Sequence, residues 1–399
     1  MVLKRGKINL IIFPGNFLPN TGGLESHVDE LSKYLSKNKK YNITIFSPNT
    51  LKAKQFEIIH NNVKVIRYPA VEIVKNFPIP NIFSPTFYKL FFSLYKKDFG
   101  IVMTRTRFFT NTFLGVIYSK FRFSRKKLIH VEHGSEYVKV SSKFTTTVAY
   151  IYDKIFGKLV FMLADKIVSV SKISKAFVKK EFTNKKVQVI TRGVDFEIFD
   201  KTKKNDVTKK FKNKIIIGTI CRLVEWKGID NVIEAYKTLP KSIQEKTVYI
   251  VIGNGEDLEK LKNKAKNYLN NGIYFYGNQK RSEALKFLNT MDIFVHSSYP
   301  GGALSNSLLE AMYTGKAIIA SPHEGAKEVL NAKNSILLKD NKTNSIREGI
   351  IKLSKNKNLR NNLGNNAKKY IEQNFNWNDR VKEYDKLFLE VIKKWYELQ

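Results

Sequence analysis

Two basic side chains come directly after a buried strand that the sequence predicts. The stretch KIIIGTIC is apolar and β-branched, and Arg222 and Lys227 follow it. A departing diphosphate needs positive charge where its own negative charge develops, and an arginine with a lysine can supply that charge without a metal ion. The pair could also be two solvated cations among 70 lysines and arginines, but its place at the end of a strand favours a function.

Glycines mark several predicted strand-to-helix turns. A glycine lets backbone N–H groups come close to a ligand, and the start of the following helix favours a phosphate group. One such turn is weak evidence, because glycine also closes ordinary loops, whereas several at one sheet edge indicate a phosphate site. None of them has the P-loop spacing G-x-x-x-x-G-K-[ST]. The glycines concerned are Gly22, Gly23, Gly228, Gly253, Gly255, Gly301 and Gly302.

The sequence gives no sign of a metal site. It contains no Asp-x-Asp motif, and its six histidines lack a ligand spacing such as H-E-x-x-H. We therefore expect the protein to work without a metal ion and without any other cofactor.

Short β-branched runs alternate with amphipathic helical patterns, which predicts the α/β class. The expected architecture is two Rossmann-like domains whose parallel sheets face a central cleft and bind ligands at the carboxyl ends of their strands. We place the domains at 1–192 and 215–377, with a linker at 193–214, because that charged stretch lacks a sustained apolar period. An amphipathic helix, 378–399, is expected to pack back on the first domain.

The predicted elements alternate regularly in both halves. In the first half the predicted strands are KINLIIF, NITIF, VKVIRY, GIVMT, KLIHVEH, KIVSV and KVQVI, and the helices are 23–35, 84–95, 144–163 and 173–182. In the second half the strands are IIIGTI, TVYIVIG, IYFYG, DIFVHSS, AIIAS and SILL, and helices begin at 229, 256, 282, 306 and 343.

The charge balance indicates an anionic partner. The chain of 399 residues has a formal net charge of +35, and between Lys75 and His130, here called the basic aromatic segment, the only acid is Asp98. Basic residues alternate there with phenylalanines. This mixture suits an anionic membrane surface and could also stack single-stranded bases, although some of the rings must belong to the core. We favour membrane contact and expect no nucleic acid partner.

The sequence also predicts where the protein works. No apolar run approaches the ~18 residues that a membrane span needs. The apolar patch near the amino terminus is short and has no signal-peptide cleavage site, so it predicts a first strand. The single Cys221 excludes an intramolecular disulfide and fits a reducing compartment. We expect a cytoplasmic protein that is peripheral on the inner face of the cell membrane.

Longer stretches around these turns form one ordered set. In the first half they are TGGLESHV, VEHG, SVSKIS and VITRGVD, and in the second half GTICRLVEWKGIDNVIEAY, IVIGNGEDLEKLK, IYFYGNQKRSEALKFLNTMDIFVHSSYPGGALSNSLLEAMYTGKAIIAS and GAKEVL. Together they resemble the retaining glycosyltransferases of family 4, which have the two-domain GT-B fold. The similarity covers essentially the whole chain and is more specific in the second half.

This resemblance implies that the protein moves a sugar from a nucleotide-sugar to an acceptor with retention at the anomeric carbon, as an enzyme of the hexosyltransferase class. It implies that Arg222 and Lys227 hold the diphosphate and that Glu310 accepts hydrogen bonds from the ribose diol. His133 would approach the reacting side of the sugar. The other donor-binding positions implied are Gly22, Gly23, Gly253, Gly277, Gly302, Ser305, Asn306, Ser307, Leu308 and Glu328.

Two positions depart from the family pattern. Gly302 stands where the family has a glutamate that contacts the donor sugar, and Arg192 stands where asparagine is common. Neither change removes the diphosphate or ribose contacts, so we expect activity, while the choice of donor sugar stays open. Glu324 or Glu328 could supply the missing carboxylate.

The expected partners are a nucleotide-sugar donor and a glycan or lipid-linked acceptor at an anionic membrane surface. Three alternatives stay open. A catalytically impaired GT-B protein would bind a membrane or a partner, with Gly302 as the trace of lost chemistry. A nucleic-acid-binding protein would explain the charge but not the ordered motifs. A nucleotide-sugar epimerase of the same fold fits the set of Arg222, Lys227 and Glu310 less well.

Overall fold

The chain forms two compact units, one of Met1–Gly193 with Trp377–Gln399 and one of Val194–Asn376. A computed structural model describes residues 7–20, 22–74, 77–121, 126–138, 143–200, 206–299, 304–322 and 325–396. None of the helices that it describes is both long enough and apolar enough to cross a membrane.

The first unit is built on one sheet. Its strands are β1 Ile8–Phe13, β2 Tyr41–Asn49, β3 Phe56–Ile59, β4 Val63–Val74, β5 Phe77–Pro80, β6 Ile101–Arg105, β7 Lys127–Glu132, β8 Lys166–Ser169 and β9 Val187–Val189. The strand order is β3-β4-β2-β1-β6-β7-β8-β9, and β5 also pairs with β4. The pairs β3–β4 and β4–β5 are antiparallel, and the others are parallel.

Helices cover both faces of this sheet. They are α1 Gly23–Ser36, α2 Pro85–Ser93, α3 Thr110–Lys120, α4 Lys143–Tyr152, α5 Lys158–Leu163 and α6 Lys172–Glu181, with a π-helical turn, Asp153–Gly157, joining α4 to α5. The α1 helix packs on one face through Val28 and Leu31, whereas α2 and α5 pack on the other face through Phe91 and Val160. Because both faces are covered, the central strands are apolar on both sides.

The second unit has a smaller, wholly parallel sheet with the order β12-β11-β10-β13-β14-β15. The strands are β10 Ile215–Ile220, β11 Thr247–Ile252, β12 Ile273–Phe275, β13 Ile293–His296, β14 Ala317–Ala320 and β15 Ile336–Leu337. The helices are α7 Phe196–Asp200, α8 Val207–Lys210, α9 Ile229–Lys237, α10 Lys241–Gln244, α11 Leu258–Lys264, α12 Arg281–Thr290, α13 Asn306–Tyr313, α14 Ala326–Val329, α15 Thr343–Lys355 and α16 Lys357–Asn374. The predicted α/β class with parallel sheets is confirmed.

The C-terminal helix, α17 Trp377–Tyr396, belongs to the first unit. Trp377, Tyr384 and Phe388 are buried in the same apolar layer as α1. A side chain at Gly193 would overlap the Trp377 ring, so the chain at Gly193 lies directly against the start of this helix.

The segment 193–214 differs from the predicted linker. From Val194 onwards its described residues belong to the second unit, where Phe199 and Phe211 are buried in the core. Phe196 stacks on Tyr313 with a ring-centroid distance of 4.4 Å, and Phe211 lies 4.6 Å from the Tyr274 ring. The sequence pattern missed this packing because each short helix buries only one or two apolar side chains, which is too few to give a helical period.

Several phenylalanines of the basic aromatic segment are structural. Phe87, Phe91 and Phe99 are buried between the first sheet and its helices, where they contact other aromatic rings. By contrast, Phe83 is 90% exposed and Phe92 is 57% exposed. The alternation of basic and aromatic residues therefore comes partly from core packing, and only part of it is available to a partner.

Candidate active site

Arg222 and Lys227 lie in the turn after β10, at the carboxyl edge of the second sheet. The Arg222 side chain is exposed, and it makes no hydrogen bond or ion pair with the part of the chain that the structure describes. Lys227 is half-buried: its Nζ lies 3.3 Å from the Ser298 hydroxyl oxygen and 3.9 Å from the centre of the Trp226 ring. An arginine that has no partner among the described residues can accept an anion without first breaking an ion pair there.

The turn carrying Lys227 is held against the turn after β13. The Ser297 hydroxyl donates a hydrogen bond of 2.8 Å to the Lys227 carbonyl oxygen, and the Tyr299 N–H donates one of 2.7 Å to that of Trp226. Gly228 has a φ of 63°, and a side chain there would overlap the Ser297 carbonyl. Glycine is therefore required at 228 for both conformation and space.

Two glycines after β11 pack on the segment that contains Arg222. A side chain at Gly253 would overlap the Cys221 carbonyl oxygen, and one at Gly255 would overlap that of Leu223. Gly253 also donates a backbone hydrogen bond of 2.8 Å to Gly277, which follows β12 with a φ of 66°. Close packing within the protein is thus enough to require glycine at 253 and 255. The contacts of Gly253 and Gly277 with the donor stay predictions.

Glu310 sits in the middle of α13, and its side chain is 16% exposed. Leu308 and Leu309 are fully buried and fix the helix in the core. The carboxylate accepts a hydrogen bond of 3.1 Å from Arg281, at the start of α12. Arg281 was not predicted as a site residue because its partner lies 29 residues away along the chain.

The start of α13 is polar. Ser305 is the N-cap residue with extended backbone, and its side chain does not cap the helix but lies 3.1 Å from the Ser307 hydroxyl oxygen. Asn306 begins the helix. On α14, Glu328 is half-buried, and its carbonyl oxygen accepts a hydrogen bond of 3.3 Å from Tyr370. Gly301, Gly302 and Glu324 lie outside the described residues.

His133 lies in the first unit, directly after β7. Its ring meets the His27 ring edge-on at a centroid distance of 4.9 Å. The Nδ1 atom of His27 accepts a hydrogen bond from Arg105, at the end of β6. Burial, and then the positive charge of Arg105, hold the pKa of both imidazoles well below the usual value, so both are neutral at neutral pH.

Glu132 fixes the turn that carries His133. This buried carboxylate accepts hydrogen bonds of 2.9 Å and 2.6 Å from the N–H groups of His133 and Gly134. It also pairs with Arg107 at 3.2 Å and lies 3.2 Å from His130 Nε2. Burial alone would raise the pKa of Glu132, but Arg107 and these hydrogen bonds hold it at about 2.

Arg107, which pairs with Glu132, also pairs with a second buried carboxylate. Asp153, in the π-helical turn, lies 2.8 Å from Arg107 Nη2. Burial raises the pKa of Asp153 to about 6, although Arg107 opposes that change. Arg107 is fully buried between the two carboxylates. From the VEHG motif the sequence analysis predicted only His133 as a site residue. It did not predict Glu132, Arg107 or Asp153.

Arg192 has a structural partner in the first unit. Its Nη2 donates a hydrogen bond of 2.7 Å to Glu30 of α1, and the Trp377 indole donates one of 2.8 Å to the same carboxylate oxygen. The arginine in place of the common asparagine thus forms a buried ion pair that joins α1 to the start of α17. Gly22 and Gly23, at the start of α1, are exposed.

The described residues bring no three histidine, cysteine or carboxylate side chains together in a way that could hold a metal ion. The expectation of a metal-independent site stays a prediction. Arg222 and Lys227 follow a strand of the second sheet and His133 follows a strand of the first, whereas Glu310 lies on α13, the helix after β13.

Solved structures with the same fold are glycosyltransferases of the GT-B class. Sucrose-phosphate synthase from Thermosynechococcus elongatus has a TM-score of 0.77 at 16% identity, with 98% of this chain and 100% of that chain covered. Anabaena HepE in complex with UDP-glucose has a TM-score of 0.69 at 18% identity, with 95% and 99% covered. At these identities the likeness shows the fold alone, which is GT-B.

Sequence comparison identifies the family. The model of Glycosyltransferase Family 4 matches residues 21–198, and that of Glycosyl transferases group 1 matches residues 200–370. An uncharacterised glycosyltransferase of Methanocaldococcus jannaschii is 54% identical over 389 residues, which are 97% of this chain and 99% of that protein. The chain therefore belongs to the family 4 glycosyltransferases, as its motifs predicted.

A more distant relative has a defined activity. It is 29% identical over 298 residues, which are 71% of this chain and 75% of that protein. This relative is the N,N'-diacetylbacillosaminyl-diphospho-undecaprenol alpha-1,3-N-acetylgalactosaminyltransferase of Campylobacter jejuni.

Proposed function

We propose that this glycosyltransferase moves a hexose-type sugar from a nucleotide-sugar to a lipid-linked or glycan acceptor, with retention at the anomeric carbon and without a metal ion. The observation that carries the proposal is the Arg222 guanidinium, which is exposed and has no partner among the described residues at the carboxyl edge of the second sheet. The name of the Campylobacter relative, which includes an alpha linkage and a diphospho-undecaprenol acceptor, supports the acceptor class and the retention.

Arg222 and Lys227 would bind the diphosphate and stabilise the charge that develops on its leaving oxygen. The start of α13 would offer backbone amides to the phosphates, and Glu310 would accept hydrogen bonds from the ribose diol. The acceptor oxygen forms a bond to the anomeric carbon while the bond from that carbon to the phosphate oxygen breaks. The electron pair goes to that phosphate oxygen, which takes the acceptor's proton on the same face of the sugar.

His133 would lie on the acceptor side as a neutral hydrogen-bonding group rather than a charged acid. Its lowered pKa follows from burial and the nearby Arg105, so it holds no extra proton at neutral pH to give to the leaving group. This agrees with a mechanism in which the leaving phosphate itself takes the proton.

A donor screen tests the proposal. UDP-, GDP- and ADP-sugars would be offered to the enzyme together with a lipid-diphosphate-linked sugar, and the product's anomeric configuration would be read by NMR. We expect transfer from one nucleotide class, the α-anomer from an α-donor, and the same rate in excess EDTA. Inversion or loss of activity in EDTA would contradict the proposal, and a rate restored by Mg²⁺ would assign a metal to the site.

The surface of the first unit supports a membrane-bound acceptor. Phe144, Val148, Ile151 and Ile155 are all exposed and recur at helical spacing along α4 and the π-helical turn. They form one apolar stripe, here called the α4 stripe, next to the exposed Lys158. An amphipathic helix of this kind places its apolar side chains in the acyl boundary and its lysines at the anionic head groups. We therefore propose an anionic bilayer as its partner.

Replacing Phe144 and Ile151 by glutamate should weaken binding to phosphatidylglycerol-containing vesicles at least about tenfold, because each side chain loses about 1.5–3 kcal/mol of apolar burial. Sedimentation with vesicles measures this. Ile58→Glu is the matched control, since Ile58 is 65% exposed on the edge strand β3 of the same unit. Equal vesicle binding by wild type and the double variant would refute this surface.

A further inference from the structure

Arg105 is a buried cation without a carboxylate partner in the structure as described. It ends β6 and is 2% exposed. Its guanidinium hydrogen-bonds His27 Nδ1, lies 3.8 Å from the Met103 sulfur and is next to Tyr384, while its Nε–H has no acceptor among the described residues. A buried guanidinium without a counterion is costly to the folded state, so such a group is retained where something else requires it.

The other buried arginines of the first unit show how unusual this is. Arg107 lies between Glu132 and Asp153. Arg192 pairs with Glu30 at 2.7 Å, and Arg67 pairs with Glu57 at 2.8 Å. Each of these guanidinium groups has its charge compensated by the protein. Arg105 alone among the four does not.

Other polar groups at the same edge of the sheet also have no hydrogen-bond partner among the residues that the structure describes. His27 is neutral and accepts at Nδ1, so its Nε2 carries a hydrogen, which finds no acceptor in the part of the chain that the structure describes. The hydroxyls of Thr106 and Ser169, after β6 and at the end of β8, are also buried without a partner from the described ranges, as are His133 Nε2 and Arg192 Nη1. Together these groups carry several N–H and O–H donors and few acceptors, so an anion could accept their hydrogen bonds.

We propose that this cluster, Arg105 with His27, His133, Thr106 and Ser169, binds a phosphate group of the acceptor substrate. The proposal rests on the proposed function, because it assigns the acceptor its chemical class. A tetrahedral phosphate offers three or four oxygens to donors from different directions, which suits side chains that come from three neighbouring strands and from α1. A carboxylate has two oxygens and would leave more of these donors unpaired.

The donor's diphosphate is a separate ligand in this scheme. Arg222 and Lys227, which we assign to that diphosphate, belong to the second unit, whereas the whole Arg105 cluster belongs to the first. In the proposed function His133 lies on the acceptor side, and its ring contacts the His27 ring, so a phosphate held by His27 and Arg105 would belong to the acceptor. Arg105 would then be a binding and specificity residue for the acceptor.

The test uses inorganic phosphate and farnesyl phosphate, titrated into the full-length enzyme that is already saturated with UDP. Saturation fills the donor site, so that any phosphate bound must occupy another one. Calorimetry measures affinity, and the side-chain ¹⁵N–¹H resonances of His27 and His133 report whether the ligand reaches them. We expect saturable binding of both probes, with shifts of these two histidines among the six in the chain.

Arg105→Met should weaken phosphate binding at least about tenfold, since one charged donor is lost. It should leave the fold at least as stable, because it removes an uncompensated buried charge. Arg105→Lys should restore part of the affinity. Arg67→Met is the matched control: it removes another buried arginine of the same unit, is expected to lower stability, and should leave phosphate binding unchanged.

Phosphate that binds Arg105→Met as tightly as wild type, or fails to bind the UDP-saturated wild type, would overturn the proposal. A loss of UDP affinity in Arg105→Met would assign the anion to the donor and would also overturn it. Failure of the proposed function would look different: no nucleotide-sugar would be bound or consumed, while phosphate binding by the first unit could still be measured.

Discussion

The variant with both Arg222→Ala and Lys227→Ala should transfer sugar more than about 10³-fold more slowly than wild type. Removing one preorganised group that stabilises a developing negative charge costs about 10²–10³ in rate. Here both cations would act on the same leaving diphosphate. Their effects should therefore be coupled, and each single variant should show a large part of the loss of the pair.

The rate is measured at saturating donor, so that the comparison reports the chemical step. Arg347→Ala is the control, because Arg347 is an arginine of the same unit that donates a hydrogen bond of 2.8 Å to the Thr238 carbonyl on the surface. Thermal unfolding of the Arg222 single variant should match wild type, since the side chain is exposed and has no partner among the described residues. A double variant within about tenfold of wild type would remove both residues from the reaction.

The regular elements were predictable because their patterns are local. The apolar runs at 215–220 and 247–252 became the strands β10 and β11, and α9, α13 and α15 begin at the predicted residues 229, 306 and 343. In parallel sheets both faces of a strand are buried, so an uninterrupted β-branched run is a reliable sign. A short edge strand gives no such sign, and β3 and β5 were missed.

The α3 helix, Thr110–Lys120, was missed for a different reason. Its polar residues Asn111 and Thr112 are buried, where they hydrogen-bond backbone carbonyls of neighbouring segments. A helix that buries polar as well as apolar side chains has no clean amphipathic pattern. Only the tertiary contacts decide its position.

The site residues also differ in whether a local sequence pattern or a tertiary contact identifies them. Arg222, Lys227 and His133 sit in local motifs after a strand end, and Glu310 lies in the local motif of α13, so the sequence alone predicted all four. Their partners are distant along the chain: Arg281 is 29 residues from Glu310. Arg192 is 162 residues from Glu30. The ion pair that explains an arginine at position 192 could therefore be found only from the structure.

Glu132 should be the carboxylate whose loss costs the first unit most. We expect Glu132→Gln to lower the free energy of unfolding at pH 7 by about 3 kcal/mol or more, because it leaves Arg107 with one buried partner instead of two. Urea unfolding measures the change. Glu181→Gln is the matched control: Glu181 pairs with the half-exposed Lys154 at 3.1 Å, and such a surface pair is worth at most about 1 kcal/mol.

The pH dependence separates an electrostatic cause from a packing cause. Glu132 has a folded pKa of about 2, lower than the value of about 4.3 in an unfolded chain. A lowered carboxyl pKa contributes stability that is complete above pH 4.3 and is lost as the pH falls towards 2, which amounts to about 3 kcal/mol here. The stability difference between wild type and Glu132→Gln should therefore shrink as the pH falls from about 4.3 towards 2. A difference that stays constant down to pH 3 would mean that Glu132 acts through shape, and then the turn bearing His133 would owe its position to packing rather than to charge.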